Sequence, residues 1–313
     1  MRAELCNLCP RNCKVDRNKG IKGFCGENAA VRVARAALHM WEEPCVSGTR
    51  GSGTVFFSGC NMHCVYCQNR NIANGNVGKE ISVDRLAKIF LEQQSRGANN
   101  INLVTPSHFV PQIADAIIKA KKAGLYIPIV YNTGSYEYVE SLRLLDGLVD
   151  VYLPDLKYFS WEASLKYSQC PDYFEIAAKA IEEMVRQTGC VQFNEFHSEC
   201  NTGIYNAHIE EGIMTKGVIV RHLLLPGQLE DSKMLVRYLY ETYGDRIYIS
   251  LMNQYTPMPG IEVKYPELGR KVTEEEYEEL VDYAIDMGVE NGFIQEGETA
   301  LESFIPDFNM EGV

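Results

Sequence analysis

From about residue 54 onward, the chain repeats two patterns of apolar and polar positions. Short runs rich in Val, Ile and Leu are each followed by a stretch in which apolar residues recur every three or four positions. The runs predict buried β-strands, and the recurring stretches predict amphipathic helices. We expect strands at 54–58, 101–105, 127–131, 149–153, 217–225, 246–252 and 292–295, and helices at 83–95, 110–123, 136–145, within 170–188, at 231–243 and at 273–287.

This order of elements favours an α/β fold with a parallel sheet. Buried strands joined by helical crossovers predict a sheet that curls into a full or partial barrel, here a partial (β/α)6 barrel. A doubly wound open sheet has the same local pattern and is the alternative. In either fold, functional side chains are expected at the carboxyl ends of the strands.

Two stretches lack this pattern. Residues 1–50 are cysteine-rich and irregular and predict an N-terminal appendage to a barrel of residues 51–313. Residues 190–216 are polar and predict an insertion before the fifth strand, which holds His197, Cys200 and His208. His197 and Cys200 are close enough in sequence to bind metal, but their polar surroundings predict a mobile loop. Cys170, Cys190 and Cys200 are expected to be ordinary thiols.

Composition excludes several classes of protein. Of the 313 residues, 46% are hydrophobic and 23% charged, which is typical of a globular domain and excludes disordered and fibrous proteins. No apolar run approaches the ~18 residues of a membrane span, so we expect no membrane partner. The net charge of −12 argues against nucleic-acid binding. The first residues contain no apolar signal core, so a cytoplasmic location is expected.

The chain has 11 cysteines, and eight of them lie in the first 67 residues. An odd number, with no signal peptide, argues against a disulfide scaffold. Crowded thiols in a reducing compartment indicate metal binding.

Three of these cysteines carry the sharpest motif. Cys60, Cys64 and Cys67 follow the first predicted strand with the spacing C-x3-C-x2-C. Three thiolates on one tight loop are suited to bind three irons of a [4Fe–4S] cluster and leave the fourth iron free. A zinc site with His63 as the fourth ligand is the alternative, although His63 is next to Cys64 and poorly placed to join the same tetrahedron.

A second group of cysteines lies in the appendage. Cys6, Cys9, Cys13 and Cys25 predict a second metal site. Zinc is favoured, since it orders segments with little core of their own and nothing in the sequence places this group near the barrel mouth. A second iron–sulfur cluster that conducts electrons is the alternative.

The triplet, with Tyr66 before its last cysteine, resembles the signature of the radical S-adenosylmethionine superfamily. The wider sequence resembles the pyruvate formate-lyase activating enzyme homologues, relatives of the glycyl-radical activases. This resemblance extends over about residues 5–260 and rests on 38–44, 51–61, 67–69, 131–132, 152–158 and 221–227.

The resemblance implies that Cys60, Cys64 and Cys67 hold the cluster and that S-adenosylmethionine binds its fourth iron. One electron then cleaves S-adenosylmethionine to methionine and a 5′-deoxyadenosyl radical, which abstracts hydrogen from a protein or peptide substrate. The substrate is expected to be a glycyl-radical enzyme, and the electron donor a flavodoxin or ferredoxin. Another radical maturation of a peptide or cofactor, and a non-catalytic iron–sulfur redox sensor, are the alternatives.

Three charged residues are the candidate catalytic and cofactor-binding groups. Asp155 and Lys157 end the fourth strand, and Lys157 is expected to pair with the methionine carboxylate. Arg221 lies inside the fifth strand, where a buried guanidinium requires an anionic partner, and similar arginines lie near the cofactor in the activases. A structural ion pair is the alternative for Asp155 and Lys157.

Further cofactor contacts are expected at the ends of other strands. Thr105 and Ser107 occupy the position of a Gly-Gly-Glu turn in relatives, so their backbone carbonyls are candidates for binding the methionine amino group, and a plain turn is the alternative. Asn132 is a candidate for a ribose contact or a helix cap. Residues 253–255 predict either a substrate or adenine contact or a surface turn. Residues 41–43 are expected to pack at the bottom or edge of the barrel.

Overall fold

The computed structural model describes residues 5–75, 77–195, 208–295 and 306–313. In these residues the strands are β1 (Val31–His39), β2 (Ser52–Phe57), β3 (Lys79–Ile81), β4 (Ile101–Val104), β5 (Ile129–Thr133), β6 (Val151–Pro154), β7 (Gln192–Phe193), β8 (Met214–Leu223), β9 (Tyr248–Met252) and β10 (Gly292–Ile294). The α-helices are α1 (Pro44–Ser47), α2 (Arg70–Ala73), α3 (Val83–Ser95), α4 (Val110–Lys122), α5 (Val139–Leu142), α6 (Trp161–Ser168), α7 (Tyr173–Thr188), α8 (Leu229–Tyr243) and α9 (Glu274–Asp286).

The parallel strands of the sheet lie side by side in chain order. β2, β4, β5, β6, β8, β9 and β10 each pair in parallel with the next. A doubly wound sheet requires its strand order to reverse at a switch point, and the described strands show no reversal. The predicted partial barrel is therefore confirmed, and the doubly wound alternative is wrong.

The helices that connect these strands form as the apolar pattern predicts. All four residues of β4 are buried, and α3 buries Leu86, Ile89 and Phe90. Each such side chain stabilises the fold by about 1.5–3 kcal/mol when removed from water. The capping box of Thr273 and Glu276 is present at the start of α9, as predicted.

The structure differs from the predicted elements at several points. Residues 31–39, predicted to be irregular, form β1, which pairs antiparallel with β2 and extends the main sheet. The predicted helix 136–145 is shortened to α5 and a 3₁₀ turn at Arg143–Leu145. Helix α6 and the short strands β3 and β7 were not predicted, because segments of two to eight residues show too little periodicity.

The predicted insertion at 190–216 is only partly described. It contains β7 and the first residues of β8, so the fifth parallel strand begins earlier than expected. Cys190 is exposed and Cys170 is buried. His197 and Cys200 lie outside the described residues. None of the helices in the described ranges is long and apolar enough to cross a bilayer.

One carboxyl group is buried directly after β5. Glu137 is 2% exposed, and its carboxyl accepts hydrogen bonds from the hydroxyls of Tyr131 and Thr133. Burial raises the pKa of Glu137 to about 7, and the two hydroxyl donors only partly oppose this shift. The folded protein therefore holds a proton on Glu137 over a pH range in which the unfolded chain has released it.

We predict that the free energy of unfolding falls as the pH rises from about 4.5 to 7, and that Glu137→Gln abolishes this part of the fall. The folded pKa lies above the unfolded value, so ionisation costs roughly 2–3 kcal/mol of stability above pH 7. Urea unfolding at several pH values measures the effect. Glu140→Gln, at an exposed position of α5, is the control. Equal pH slopes for Glu137→Gln and the unaltered protein would contradict the prediction.

Candidate functional site

A cavity of about 390 Å³ opens at the carboxyl ends of the parallel strands. Nine residues singled out in the sequence line it: Cys60, Cys64, Cys67, Thr105, Ser107, Asn132, Asp155, Lys157 and Arg221. They come from five strand ends that are far apart in the sequence. The parallel sheet brings them together because it aligns the carboxyl ends of its strands at one edge.

The segment Cys60–Cys67, which we call the cysteine loop, follows β2 directly. Gly59 has φ +85°, and a Cβ there would lie 2.5 Å from the carbonyl oxygen of Cys25, so only glycine allows this approach. The side-chain amide of Asn61 donates to the carbonyl of Tyr136 at 2.6 Å. His63 has φ +56°, a left-handed conformation that non-glycine residues seldom adopt. The loop is therefore held tightly against the strand ends.

The arrangement of the thiols fits a cluster better than zinc. In the described ranges, no three His, Cys, Asp or Glu side chains converge on one metal position. A [4Fe–4S] cluster does not depend on such convergence, because each of its cysteines binds a different iron. The His63 ring stacks on Phe24 with centroids 4.8 Å apart, which does not favour His63 as the fourth zinc ligand.

The cysteines of the appendage lie close to the cysteine loop. The amide of Cys60 donates to the carbonyl of Cys25 at 3.2 Å. A Cβ at Gly23 would lie 3.4 Å from the sulfur of Cys13 and 3.7 Å from that of Cys25. Burial raises the pKa of Cys9 to about 12, and the nearby thiols of Cys25 and Cys13 contribute to the rise. The sequence did not place this group near the barrel mouth, because the contact joins backbones 35 residues apart and leaves no local pattern.

Arg11, which the sequence analysis missed, joins the appendage to the cysteine loop. Its Nε donates to the carbonyl of Asn61 at 2.7 Å, and its Nη2 donates to the carbonyl of Ser168 at 3.0 Å. The guanidinium lies 4.0 Å from the ring centroid of Phe24, a cation–π contact. The position of Arg11 between two cysteines was the only sign in the sequence of its role. That position does not identify the backbone carbonyls to which Arg11 donates.

Arg221 lies at the centre of a charged network inside the sheet. Its Nε is 3.2 Å from Asp155 Oδ1, its Nη1 is 3.0 Å from Glu42 Oε2, and its Nη2 donates to Asn132 Oδ1. The Nζ of Lys157 is 2.6 Å from Asp155 Oδ2. The anionic partners that a buried arginine requires are therefore supplied by the protein itself.

The network keeps Asp155, Lys157 and Arg221 charged despite burial. Burial disfavours the carboxylate of Asp155, yet Lys157 and Arg221 hold its pKa below the ordinary value. Burial likewise disfavours the Lys157 ammonium, yet Asp155 and then Cys64 hold its pKa above the ordinary value. Lys157 therefore presents a fixed positive charge to the cavity, where it is available to an anionic group.

The segment after β1 differs from the prediction for residues 41–43. Glu42 enters the network and also accepts a hydrogen bond from Asn102 at 2.8 Å. Trp41 is 60% exposed at the edge of the cavity, so it is not the buried packing residue that was predicted. In the sequence, an arginine inside a buried strand indicated an acidic partner for Arg221. It did not distinguish Glu42 from the other carboxylates of the chain.

The remaining candidate contacts differ in their surroundings. Thr105 has φ +57°, a strained conformation for a β-branched residue that is typical of functional sites. Ser107 is buried in the following turn.

Gln254 lines the cavity, whereas Tyr255 is 1% exposed and donates to the carbonyl of Leu268 at 2.6 Å. Of these two, only Gln254 is placed to contact a bound molecule.

Comparison with known proteins identifies related chains. An uncharacterised protein from Methanocaldococcus jannaschii is 28% identical over 286 residues, which cover 89% of this chain and 74% of the relative. The crystal structure of Streptococcus suis SuiB bound to S-adenosylmethionine is 13% identical with a TM-score of 0.49, over 76% of this chain and 48% of SuiB. The hydrogenase maturase HydG from Carboxydothermus hydrogenoformans is 14% identical with a TM-score of 0.44, over 79% of this chain and 58% of HydG.

The chain thus spans about half the length of these two solved structures. Residues 54–191 match the family model described as Radical SAM superfamily. This range begins in β2, includes the cysteine loop and extends through β6 and α7. Residues 54–191 are therefore similar to the radical SAM superfamily.

Proposed function

We propose that this protein is a radical S-adenosylmethionine enzyme whose cluster is bound by Cys60, Cys64 and Cys67. The observation that carries the proposal is the position of these thiols, on one loop that lines the same cavity as Lys157, Asp155 and Arg221. When bound, the cluster supplies one electron for the reductive cleavage of S-adenosylmethionine to methionine and a 5′-deoxyadenosyl radical.

The residues of the chain bind and orient the cofactor. The Lys157 ammonium binds the methionine carboxylate, and Asp155 keeps that ammonium positioned through their ion pair. Arg221 fixes Asp155 and Asn132 at the cavity wall. The backbone carbonyls of Thr105 and Ser107 accept hydrogen bonds from the methionine amino group, and Asn132 contacts the ribose. The largely buried walls exclude water from the reactive carbon.

We further propose that the radical abstracts hydrogen from a protein or peptide, with a glycyl-radical enzyme as the first candidate. The resemblance to activases supports this substrate, and so does the apolar rim of the cavity, where Trp41 and Ile294 are 60% and 53% exposed. A flavodoxin or ferredoxin supplies the electron. Maturation of another peptide or cofactor is the second candidate for the same chemistry.

A non-catalytic iron–sulfur sensor is the rival function. A sensor has no use for charged side chains directed into a cavity beside its cluster. Lys157 and Asp155 have this position, which favours the enzyme.

The first prediction from this function is that the anaerobically reconstituted, dithionite-reduced protein produces 5′-deoxyadenosine from S-adenosylmethionine. A Cys60/Cys64/Cys67→Ala variant should produce none, because it lacks the cluster ligands. Cys190→Ala, at an exposed cysteine outside the cavity, is the control and should retain the activity. Absence of product from fully loaded, unaltered protein would leave the sensor as the better hypothesis.

The second prediction concerns Lys157. Lys157→Met should weaken S-adenosylmethionine binding about 10–100-fold, since a hydrogen bond to a charged group contributes roughly 1.5–3 kcal/mol. Equilibrium dialysis with the reconstituted protein measures the dissociation constant, and iron content confirms that the cluster is loaded. Lys119→Met, which removes a surface ion pair with Asp84, is the control. Unchanged binding would assign Lys157 and Asp155 a structural role alone.

We also propose a second metal site, zinc or iron–sulfur, at Cys6, Cys9, Cys13 and Cys25. The proximity of Cys13 to Cys25, and of the thiol of Cys9 to both, supports it. The contact between Cys25 and Cys60 removes the argument that favoured zinc, so elemental analysis decides between the two metals.

The third prediction is that purified protein contains metal beyond four irons per chain, and that Cys9→Ala loses this excess while it keeps the first cluster. Iron, zinc and acid-labile sulfide are measured together. Cys45→Ala, at a buried cysteine of α1 that belongs to neither group, is the control. Four irons and no other metal in the unaltered protein would refute the second site.

A further inference from the structure

A chain of buried hydroxyl groups ends on the sulfur of Cys64. The hydroxyls of Tyr66 and Tyr158 are 2.7 Å apart, and the hydroxyls of Tyr158 and Ser168 are also 2.7 Å apart. Ser168 Oγ donates to Cys64 Sγ at 2.9 Å. Tyr66, Tyr158 and Ser168 are 6%, 1% and 0% exposed, so water does not compete for these hydrogen bonds. We call these three residues the hydroxyl chain.

The direction of the hydrogen bonds follows from the chemistry of the last acceptor. A cysteine that ligates iron is a thiolate and has no proton to donate. Ser168 therefore donates its hydroxyl hydrogen bond to Cys64 and accepts a hydrogen bond from Tyr158. The Tyr158 hydroxyl has only one hydrogen to donate, so it accepts the hydrogen bond from Tyr66. All three hydroxyls point toward the thiolate, and each polarises the next.

The backbone holds Ser168 in this position. Ser168 is the last residue of α6, and the carbonyl of the preceding Tyr167 accepts a hydrogen bond from the amide of Val65 at 2.9 Å. The carbonyl of Ser168 accepts a hydrogen bond from Arg11 Nη2 at 3.0 Å. The end of α6 is thus fixed to the cysteine loop from two sides, and the hydroxyl has a defined distance to the sulfur.

Four other buried tyrosines of the described chain end their hydrogen bonds on an oxygen atom. Their hydroxyls donate to carboxylate, amide or backbone carbonyl oxygens: Tyr131 to Glu137, Tyr152 to Gln187, Tyr255 to Leu268 and Tyr277 to Leu251. Such bonds satisfy a buried donor locally. The hydroxyl chain instead directs three successive donors to one cluster ligand.

We propose that the hydroxyl chain raises the reduction potential of the cluster and so favours uptake of the electron that starts the reaction. Ser168, Tyr158 and Tyr66 are then positioning residues, because they act through Cys64. This rests on the proposed cluster at Cys60, Cys64 and Cys67. Reduction adds one negative charge to the cluster and its thiolates. A hydrogen bond donated to a thiolate sulfur stabilises the more negative, reduced cluster more than the oxidised cluster. It therefore raises the reduction potential. The effect is an easier one-electron reduction by the donor protein.

The experiment is an anaerobic redox titration of the reconstituted full-length protein, followed by the EPR signal of the reduced cluster. Ser168→Ala should lower the midpoint potential so that the ratio of reduced to oxidised cluster at a fixed potential falls about tenfold, or ~59 mV for a one-electron couple. Tyr158→Phe should shift it in the same direction by less, because Ser168 still donates to Cys64. ENDOR spectroscopy should show an exchangeable proton coupled to the cluster that Ser168→Ala loses.

Tyr255→Phe is the matched control. Its ring packs against Tyr66 with centroids 6.3 Å apart, but its hydroxyl donates to a backbone carbonyl outside the hydroxyl chain. Its midpoint potential should equal that of the unaltered protein. Unchanged or higher potentials in both Ser168→Ala and Tyr158→Phe would overturn the inference, and if Ser168→Ala fails to load iron, Tyr158→Phe decides alone. Failure of the unaltered protein to load a cluster would instead refute the proposed function, a separate outcome recognised from its iron content.

Discussion

The interior of the sheet depends on the ion pairs and the hydrogen bond that the guanidinium of Arg221 makes. It contacts Asp155 after β6, Asn132 in β5 and Glu42 after β1, so it joins four segments around one charge. Removal of one partner from such a buried network costs about 3–5 kcal/mol, because the remaining charges lose their compensation. Lys157 adds the second positive charge, so Asp155 is paired with two cations in the wall of the cavity.

The appendage and the barrel form one structural unit around the cysteine loop. Cys25 binds the amide of Cys60 through its carbonyl, and Arg11 binds the loop and the end of α6 together. Strand β1 continues the same sheet. The N-terminal residues thus help to fix the geometry of the cysteine loop, although the family match begins only at residue 54.

Local sequence patterns predicted the elements in which the spacing of apolar residues repeats over several helical turns. The helices α3, α4, α8 and α9 and their alternation with parallel strands follow from apolar periodicity, and the spacing of Cys60, Cys64 and Cys67 identified the loop. The need of Arg221 for an anion was also readable. Its partner Glu42, the role of Arg11 and the contact of Ser168 with Cys64 were not, because each depends on chain segments that meet only in the folded sheet.

The contacts of Arg11 bear on how the proposed cluster would assemble on the cysteine loop. They join residues 50 and 157 positions apart along the chain, to Asn61 and to Ser168. Contacts of such long sequence separation form late in folding, since the entropy of closing large loops must be overcome first. The three thiols therefore reach their final spacing only when the segments at both ends of these loops have assembled. Insertion of the proposed cluster would in this way be coupled to the completion of the fold, and a fragmentary chain would present its cysteines without the contacts of Arg11.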